Sequence, residues 1–486
     1  MEALEERIID LEEALDAGFL LICSVFVFMM QFGFAALEVG SVRPKNTKAV
    51  LLKNICDAAI GALIWWLVGH GVAFGNSSNF IGQNQMAFSP KLDASRIGEV
   101  ALLYSRWMLQ WAFAATSATI VSGAIAERVA LHAYLIYAVV ITGLIYPVVA
   151  HWAWAQNGWA SAILENEDDL LMGCGVADFS GSGVVHFTGG LMALVAAVCV
   201  LPRGGRFDPA GKPRRLERQS PALNVLGTLM LWVGWFFFNA SGVQAFSKQA
   251  DSAAKSMLNT AVCPSSAAVV TMFLHWIYHR SFDPFMTTNG ILGGLVAITA
   301  NSPLVETDGA FVIGFVSGLL VFGGSKLLLK FRIDDVVDAS VVHGLCGLWG
   351  MLATGFFTTE SGYARGYDES RAGKCCGLLY GCTGSLLAAN TIFVLAQFAW
   401  VGGMGLILFL GIKYTLGLRI NRIVEEEGMD KTRHGGYPGA GTNSRTNPNS
   451  SMHTAPRGVL DAVRRLRGSS NNNRPPSRAA ASDVLA

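Results

Sequence analysis

Long apolar segments separated by short polar ones dominate the chain. Ten of them have about the 20 residues that a helix needs to cross a bilayer, namely residues 17–39, 49–74, 100–125, 130–152, 183–201, 222–245, 257–278, 284–300, 309–329 and 336–357. An eleventh stretch, 377–416, is too long for one upright span and predicts either one tilted helix or two helices broken near Gly402 and Gly403. The pattern therefore predicts an all-α protein that crosses the membrane at least ten times.

Composition narrows the class of protein further. Hydrophobic residues make up 52% of the 486 residues and charged residues only 15%, against about 25% charged in ordinary soluble domains. The formal net charge is +1, which argues against nucleic-acid binding as a main role. Fifty-four glycines suit helices that pack closely in lipid. We expect a polytopic membrane protein with the lipid bilayer as its solvent.

Basic residues in the loops predict the orientation of the chain in the membrane. They lie after the first, third, fifth, seventh and ninth apolar segments: Arg43, Lys45, Lys48, Arg128, Arg203, Arg206, Lys212, Arg214, Arg215, Arg218, Arg280, Lys326, Lys330 and Arg332. These loops are expected to face the cytoplasm. The acidic amino terminus, residues 1–16, then lies outside, and the first span is expected to stay as an anchor.

The nine cysteines point to no metal site, because none has the spacing of metal ligands. Cys23, Cys56, Cys199 and Cys263 lie in apolar segments and are interpreted as small core residues. Cys375 and Cys376 share a polar loop and Cys174 lies in another, which is weak evidence for a disulfide, so their state stays open.

An internal repeat carries the candidate chemistry. The segment from Asp178 to His186 and the segment from Asp335 to His343 have the same length and the same Val-Val-His ending. Five spans separate the copies, so the second half of the chain is expected to be inverted relative to the first. Residues 17–201 and 222–357 are therefore predicted to form two inverted five-helix repeats, with the two histidines meeting near the middle of the membrane.

Paired histidines deep in a membrane favour a transport pathway, since ionisable groups there are costly and usually functional. Two neutral imidazoles in contact can share a proton and pass it on. His186 and His343 are therefore predicted to form a proton relay for a small solute that can lose a proton. Asp178 and Asp335 are expected to cap their helices, and the charge of Asp178 at the outer mouth would also favour a cation.

The other histidines of the apolar segments lie near span ends and are interpreted as polar contacts between helices. They are His70, His132, His151, His275 and His279. A rival function is a membrane redox protein with His186 and His343 as haem ligands. One buried pair and the lack of a haem-attachment motif in the sequence argue against it, so no cofactor is expected.

Several ordered motifs closely resemble ammonium transporters of the Amt/MEP/Rh superfamily, in particular the plant type. They occupy residues 123–128, 178–186, 232–239, 334–347 and 427–436. The resemblance implies a plasma-membrane homotrimer with one pore in each subunit, and a transporter rather than an enzyme. It further implies eleven membrane helices, with 377–420 as one long tilted helix and 421–486 as a cytoplasmic carboxyl-terminal region.

The resemblance also assigns site residues. Phe113, Trp154 and Ser241 are implied to recruit ammonium at the outer mouth, together with Asp178, through cation–π attraction and hydrogen bonding. Phe113 and Phe238 are implied to form the gate. Ammonium would lose its proton near the histidine pair, and ammonia would cross with or without that proton. Leu109 stands where bacterial relatives have a second gate aromatic.

A regulatory switch in the tail is a second hypothesis. Phosphorylation of Thr432 would add about −1.5 to −2 charges beside Glu425, Glu426, Glu427 and Asp430, in a segment that docks on a neighbouring subunit in the resembled family. A kinase is then an expected partner, although an ordinary loop threonine fits equally well. From residue 443 the composition predicts a mobile tail, with a basic cluster at 457–467. An ammonium sensor and an Rh-like ammonia gas channel are the alternative functions.

Overall fold

The computed structural model describes residues 2–76, 78–89, 97–164 and 167–435. The predicted mobile end of the tail, with its basic cluster, lies outside these residues. The main helices of the described part are α1 (Glu2–Ser41), α2 (Pro44–Phe74), α3 (Ile97–Ala124), α4 (Leu131–Trp154), α5 (Ser182–Val200), α6 (Pro221–Val243), α7 (Phe246–His279), α8 (Pro284–Ile298), α9 (Thr307–Lys330), α10 (Ser340–Phe357), α11 (Ser385–Thr415), α12 (Arg422–Glu427) and α13 (Met429–Arg433).

The predicted fold class is confirmed. Nine helices of the described part are long and apolar enough to cross a membrane, all of α1 to α11 except α3 and α8. Helix α8 has only 15 residues, and α3 has 28 but is rich in Ala, Ser and Thr. Each coincides with a predicted span, while the total of eleven spans stays a prediction. Beyond the helices, the described chain forms only isolated β-bridges such as that between Val129 and Arg419.

The long apolar stretch 377–416 contains one uninterrupted helix, so the broken alternative is wrong. Helix α11 begins only at Ser385. The residues before it are held in turns by a disulfide between Cys376 and Cys382. A second disulfide joins Cys174 to Cys375, across 201 residues of chain. Both disulfides lie at the end of the bundle where α11 starts. As interpreted, Cys23, Cys199 and Cys263 are free and buried, whereas Cys56 is free and half-buried.

Helices α5 and α10, which carry the two histidines, cross in opposite directions. A methyl group on Gly190 would lie 2.0 Å from the backbone nitrogen of Gly344. At the other end of the crossing, a methyl group on Gly347 would lie 2.7 Å from the carbonyl oxygen of Ser182. The later residue of α5 thus meets the earlier residue of α10 and the reverse, so the two helices run in opposite directions, which supports the predicted inversion. Glycine is required because the two backbones touch.

Buried ion pairs lie at the end of the bundle opposite the start of α11. The Glu127 carboxylate bonds to Arg43 and to Arg203, and Arg203 also pairs with Asp334 at 2.8 Å. Arg206 adds a contact to Asp334 at 3.2 Å. We call this group (Arg43, Glu127, Arg203, Arg206 and Asp334) the ionic end. Burial opposes ionisation of Asp334, but the guanidinium of Arg203 more than offsets it and holds the pKa of Asp334 well below its usual range.

Candidate functional site

The two predicted histidines meet inside the bundle. Nδ1 of His186 lies 3.3 Å from Nδ1 of His343, and the ring centroids are 5.2 Å apart. Both residues are buried. One Nδ1 must donate and the other accept, so the two rings carry their hydrogens on different nitrogens. Nε2 of His186 has no hydrogen-bond partner among the described residues, which leaves it available to a small ligand.

The starts of α5 and α10 are capped in the same way, and they position the two histidines. The carboxylate of Asp178 accepts hydrogen bonds from the backbone nitrogens of Gly183 and Val184, at 3.0 and 2.8 Å. Asp335 does the same for Ala339 and Ser340 in the second half, at 3.0 and 2.8 Å. These carboxylates satisfy amides that the first turn leaves free. The capping role that we expected for both residues is what the geometry supports.

The first turns of α5 and α10 are also unusually wide. Residues Ser182–Phe187 and Ser340–Leu345 form π-helical turns, and each turn contains one of the histidines. Such turns are rare and are concentrated at functional sites. A wide turn rotates the following side chains relative to a regular helix, so both imidazoles reach the crossing point.

Aromatic rings stack from the histidine pair toward the end of the bundle that holds Trp154. Phe238 lies 5.4 Å from His186, measured between ring centroids, and 4.3 Å from Phe113. Phe113 in turn lies 5.9 Å from Trp154. Phe113 and Phe238 are both buried and stack face to face. The structure thus brings the two expected gate rings together, between Trp154 and the histidines.

Ser241 is fully buried at the end of α6, three residues after Phe238. Its hydroxyl donates to the Phe238 carbonyl oxygen at 2.8 Å, which leaves its lone pairs as acceptors. The indole nitrogen of Trp154 donates to the Asp178 carbonyl oxygen at 2.9 Å. Trp154 is therefore held by the same loop that caps α5. Leu109 is buried one turn before Phe113 on α3.

Three residues near the pair were missed in the sequence. The indole of Trp235 stacks on His186 with centroids 4.9 Å apart. Beyond His343, the ring of Phe34 lies 6.3 Å from the imidazole, and a small cavity follows that includes Glu38 in its wall. A signal existed for Trp235, because it lies one helical turn before Phe238. Glu38 offered a weaker one, as an acidic residue inside the first apolar segment.

The tail segment docks on this same chain. The Asp430 carboxylate accepts hydrogen bonds from the backbone nitrogens of Lys48 and Ala49, at the start of α2. Glu425 accepts from the backbone nitrogen of Gly204 at 2.7 Å. The Thr432 hydroxyl donates to the Gly428 carbonyl oxygen at 2.8 Å. Helices α12 and α13 therefore contact the first turns of α2 and the loop that follows α5, beside the ionic end.

Comparisons with known proteins agree on one family. The family model described as "Ammonium Transporter Family" matches residues 18–437. Ammonium transporter 1 member 3 of Solanum lycopersicum is 38% identical over 437 residues, covering 87% of this chain and 93% of the relative. Ammonium transporter 1 member 1 of Oryza sativa subsp. japonica is 41% identical, covering 89% and 87%. A solved structure described as "Sensor Amt Protein" is 30% identical with a TM-score of 0.76, covering 89% of this chain and all of that one.

Proposed function

The chain belongs to the ammonium transporter family, and from that premise we propose how its residues move ammonium. The protein is an integral membrane transporter whose substrate is ammonium or ammonia. Ammonium binds first at the mouth formed by Trp154, Phe113 and Ser241. The aromatic faces attract the cation by about 0.5 to 2 kcal/mol, and more where water is excluded. The Ser241 hydroxyl accepts one of its N–H groups.

Asp178 acts on this mouth in three ways. Its carboxylate fixes the start of α5, and its carbonyl oxygen holds the Trp154 indole. Its negative charge favours a cation over an anion at the mouth. The stacked rings of Phe113 and Phe238 form the gate that separates this mouth from the histidines, and they open as the substrate passes.

Deprotonation follows at the histidine pair. The observation that carries the proposal is the 3.3 Å contact between the Nδ1 atoms of His186 and His343. Ammonium donates a proton to the unpartnered Nε2 of His186, His186 passes its Nδ1 proton to His343, and ammonia moves along the apolar pore. The asymmetric hydrogen placement in the pair supports this transfer, because one ring is already a donor and the other an acceptor.

The mouth with Trp154 faces the outside in this proposal, and the ionic end faces the cytoplasm. The basic loops at the ionic end support that orientation, which places the amino terminus outside and the tail inside. We further propose that the protein is a homotrimer of the plasma membrane. Exposed apolar side chains along α1 and α11, such as Phe32 and Phe398, provide surfaces for lipid and for neighbouring subunits.

Ammonium-evoked current in oocytes tests the pair. His186→Ala and His343→Ala should each abolish current or change its selectivity. His132→Ala serves as the matched control, because that ring is exposed and bonds to the Leu416 and Gly417 carbonyl oxygens. Undiminished, ammonium-selective current in both pair variants would remove the histidines from the mechanism. Ammonium uptake without current in the wild-type protein would favour the gas-channel alternative.

Thr432 is proposed as the regulatory position. Phosphorylation would replace its hydrogen bond to Gly428 with about −1.5 to −2 charges next to Asp430, whose carboxylate caps α2. Repulsion would then release the tail from the start of α2. A kinase acting on the tail is the partner that this switch requires.

Ammonium sensing is a second candidate function. The likeness to the solved structure described as a sensor, at 30% identity over 89% of this chain, favours it. Growth of yeast that lacks its own ammonium uptake separates the two functions. Rescue supports transport, whereas failure despite surface expression supports the sensor.

A further inference from the structure

We propose that Glu38 is the proton acceptor on the far side of the histidine pair, and that it returns the proton to ammonia before release. The inference rests on the proposed function, in which a proton reaches His343. Its basis is that Glu38 and His343 line the same small cavity, on the side of the pair opposite the Phe113–Phe238 gate.

The position of Glu38 follows from α1. The Phe34 ring lies 6.3 Å from the His343 ring, and Glu38 lies four residues further along the same helix, which is about 6 Å along its axis. Phe34 and Glu38 share a helix face, so both border the cavity. Apart from His343, Glu38 is the one titratable side chain among the described residues that line it. The other lining residues are apolar or small, with Thr119 as the remaining polar side chain.

The Glu38 carboxylate is fixed by hydrogen bonds and not by an ion pair with a cation of the described residues. Glu38 is 3% exposed, and its two oxygens accept one hydrogen bond each, from the Ser122 hydroxyl and from the Asn54 amide. No salt bridge joins Glu38 to a cation within the described ranges. Each oxygen therefore keeps a lone pair for a proton. Carboxylates of this kind inside membranes usually mark ion or proton pathways.

Two buried charged residues of α2 act on Glu38. Lys53 on α2 acts on Glu38 as a buried positive charge, and Asp57 on the same helix as a negative one. The ammonium group of Lys53 donates to the Val129 carbonyl oxygen at 3.4 Å, in the loop that follows Glu127. The amide oxygen of Asn54 has no partner in the described chain. It is a site for a bridging water molecule, and the Val129 carbonyl oxygen that Lys53 binds lies two residues after Glu127 of the ionic end.

A single proton moves from His343 to Glu38 and then to ammonia. The Nε2–H bond of the His343 imidazolium breaks and an O–H bond forms on Glu38, directly or through one water molecule in the cavity. Ammonia arriving in the cavity then takes this proton, forming its fourth N–H bond and regenerating the carboxylate. One ammonium ion has entered at the mouth and one leaves at the ionic end. Neither redox chemistry nor a co-reactant is involved.

Oocyte recordings with Glu38→Gln test the proposal, because the amide still fills the site but accepts no proton. Current should fall about a hundredfold or more, the lower end of what a positioned proton-transfer group contributes, at equal surface expression. Asp57→Asn is the matched control. Asp57 is a carboxylate on α2 that is buried as fully as Glu38 and accepts a hydrogen bond from Thr119 at 2.8 Å, but it does not line the cavity. Its current should stay close to that of the wild-type protein.

Wild-type current in Glu38→Gln, or an equal loss in Asp57→Asn, would overturn the role of Glu38 while transport through the histidine pair stands. Loss of current in the His186 and His343 variants without loss in Glu38→Gln would likewise overturn the role of Glu38 and leave the histidine pair in the mechanism. If all of these variants keep full current, the proposed function itself fails. Should Glu38→Gln not reach the surface, Glu38→Asp is the second variant, since it keeps a buried carboxylate but moves its oxygens by one methylene group, and a misplacement of about 1 Å can cost about a hundredfold. A reduced current is again expected, and wild-type current would overturn the role of Glu38.

Discussion

The indole of Trp235 stacks on the imidazole of His186, with ring centroids 4.9 Å apart and planes inclined by 21°. The indole nitrogen donates to the Thr299 hydroxyl at 2.9 Å, which fixes the plane of the indole. His186 is thus confined between Trp235 on one side and His343 on the other. Trp235 acts on the reaction by orienting the ring, and we regard it as a positioning residue.

Trp235→Ala should lower ammonium-evoked current by up to about a hundredfold, which is the cost of misplacing a reacting group by about 1 Å. Trp235→Phe keeps a stacked ring and should retain most of the current. Trp276→Ala, which removes an exposed indole near the end of α7, is the control. Current and surface protein are measured in the same cells. Wild-type current per surface molecule in Trp235→Ala would contradict the positioning role.

Gly190→Ala should prevent assembly of the two halves. The added methyl group would lie 2.0 Å from the backbone nitrogen of Gly344, and a backbone cannot move aside as a side chain can. Gly403→Ala is the control, because no heavy atom of the described chain lies within 4 Å of that methyl position. Size-exclusion chromatography in detergent measures the folded fraction. Equal yields of the two variants would show that the helices do not cross as described.

Replacing Asp334 by Asn should destabilise the ionic end. Breaking a buried ion pair by removing one partner costs about 3–5 kcal/mol. The pKa of Asp334 is lowered in the folded protein, so its stabilising contribution is present above the unfolded pKa of about 3.9 and is lost as pH falls through the folded value. The difference in melting temperature between wild type and variant should therefore be constant from about pH 7 to pH 5 and shrink only in stronger acid.

The control for Asp334 is Asp251→Asn. Asp251 pairs with Arg365 on the surface, where both side chains are more than half exposed, and exposed pairs contribute about 0–1 kcal/mol. A melting temperature of Asp334→Asn equal to that of Asp251→Asn would show that the buried network does not stabilise the fold.

The two disulfides should differ in what they contribute. The Cys174–Cys375 bond closes a loop of 201 residues and the Cys376–Cys382 bond a loop of 6, and a longer loop restricts the unfolded chain more. Changing Cys174 and Cys375 together to Ser should cost about 2–5 kcal/mol. The same change at Cys376 and Cys382 should lower the melting temperature less. The reverse order would argue against the loop-length explanation.

Thr432→Asp should reduce transport, because it places a negative charge beside the Asp430 carboxylate that caps α2. Thr432→Ala removes only the hydroxyl bond to Gly428 and should transport like the wild-type protein. Methylammonium uptake in yeast compares the two variants. Equal uptake by both would leave Thr432 as an ordinary residue of the tail.

The sequence predicted the elements of the site better than its surroundings. His186 and His343 were identifiable because a repeat with an odd number of intervening spans places equivalent residues on one symmetry axis. Phe113 and Trp154 needed the family resemblance, since many aromatic residues have the same local pattern. Trp235 and Glu38 were missed because their importance comes from contacts between distant segments. The same reason left the Cys174–Cys375 pairing open.

The hydrogen shared by the two Nδ1 atoms gives the pair a direction. Suppose that His186 donates this hydrogen to His343 before a transfer. After one proton has entered at His186 and one has left from His343, it is His343 that donates to His186. The next proton then meets a hydrogen bond that points in the opposite direction. Both rings must change tautomer before another transfer in the same direction. Proton conduction would therefore proceed one proton at a time, with a tautomer change of both rings after each transfer.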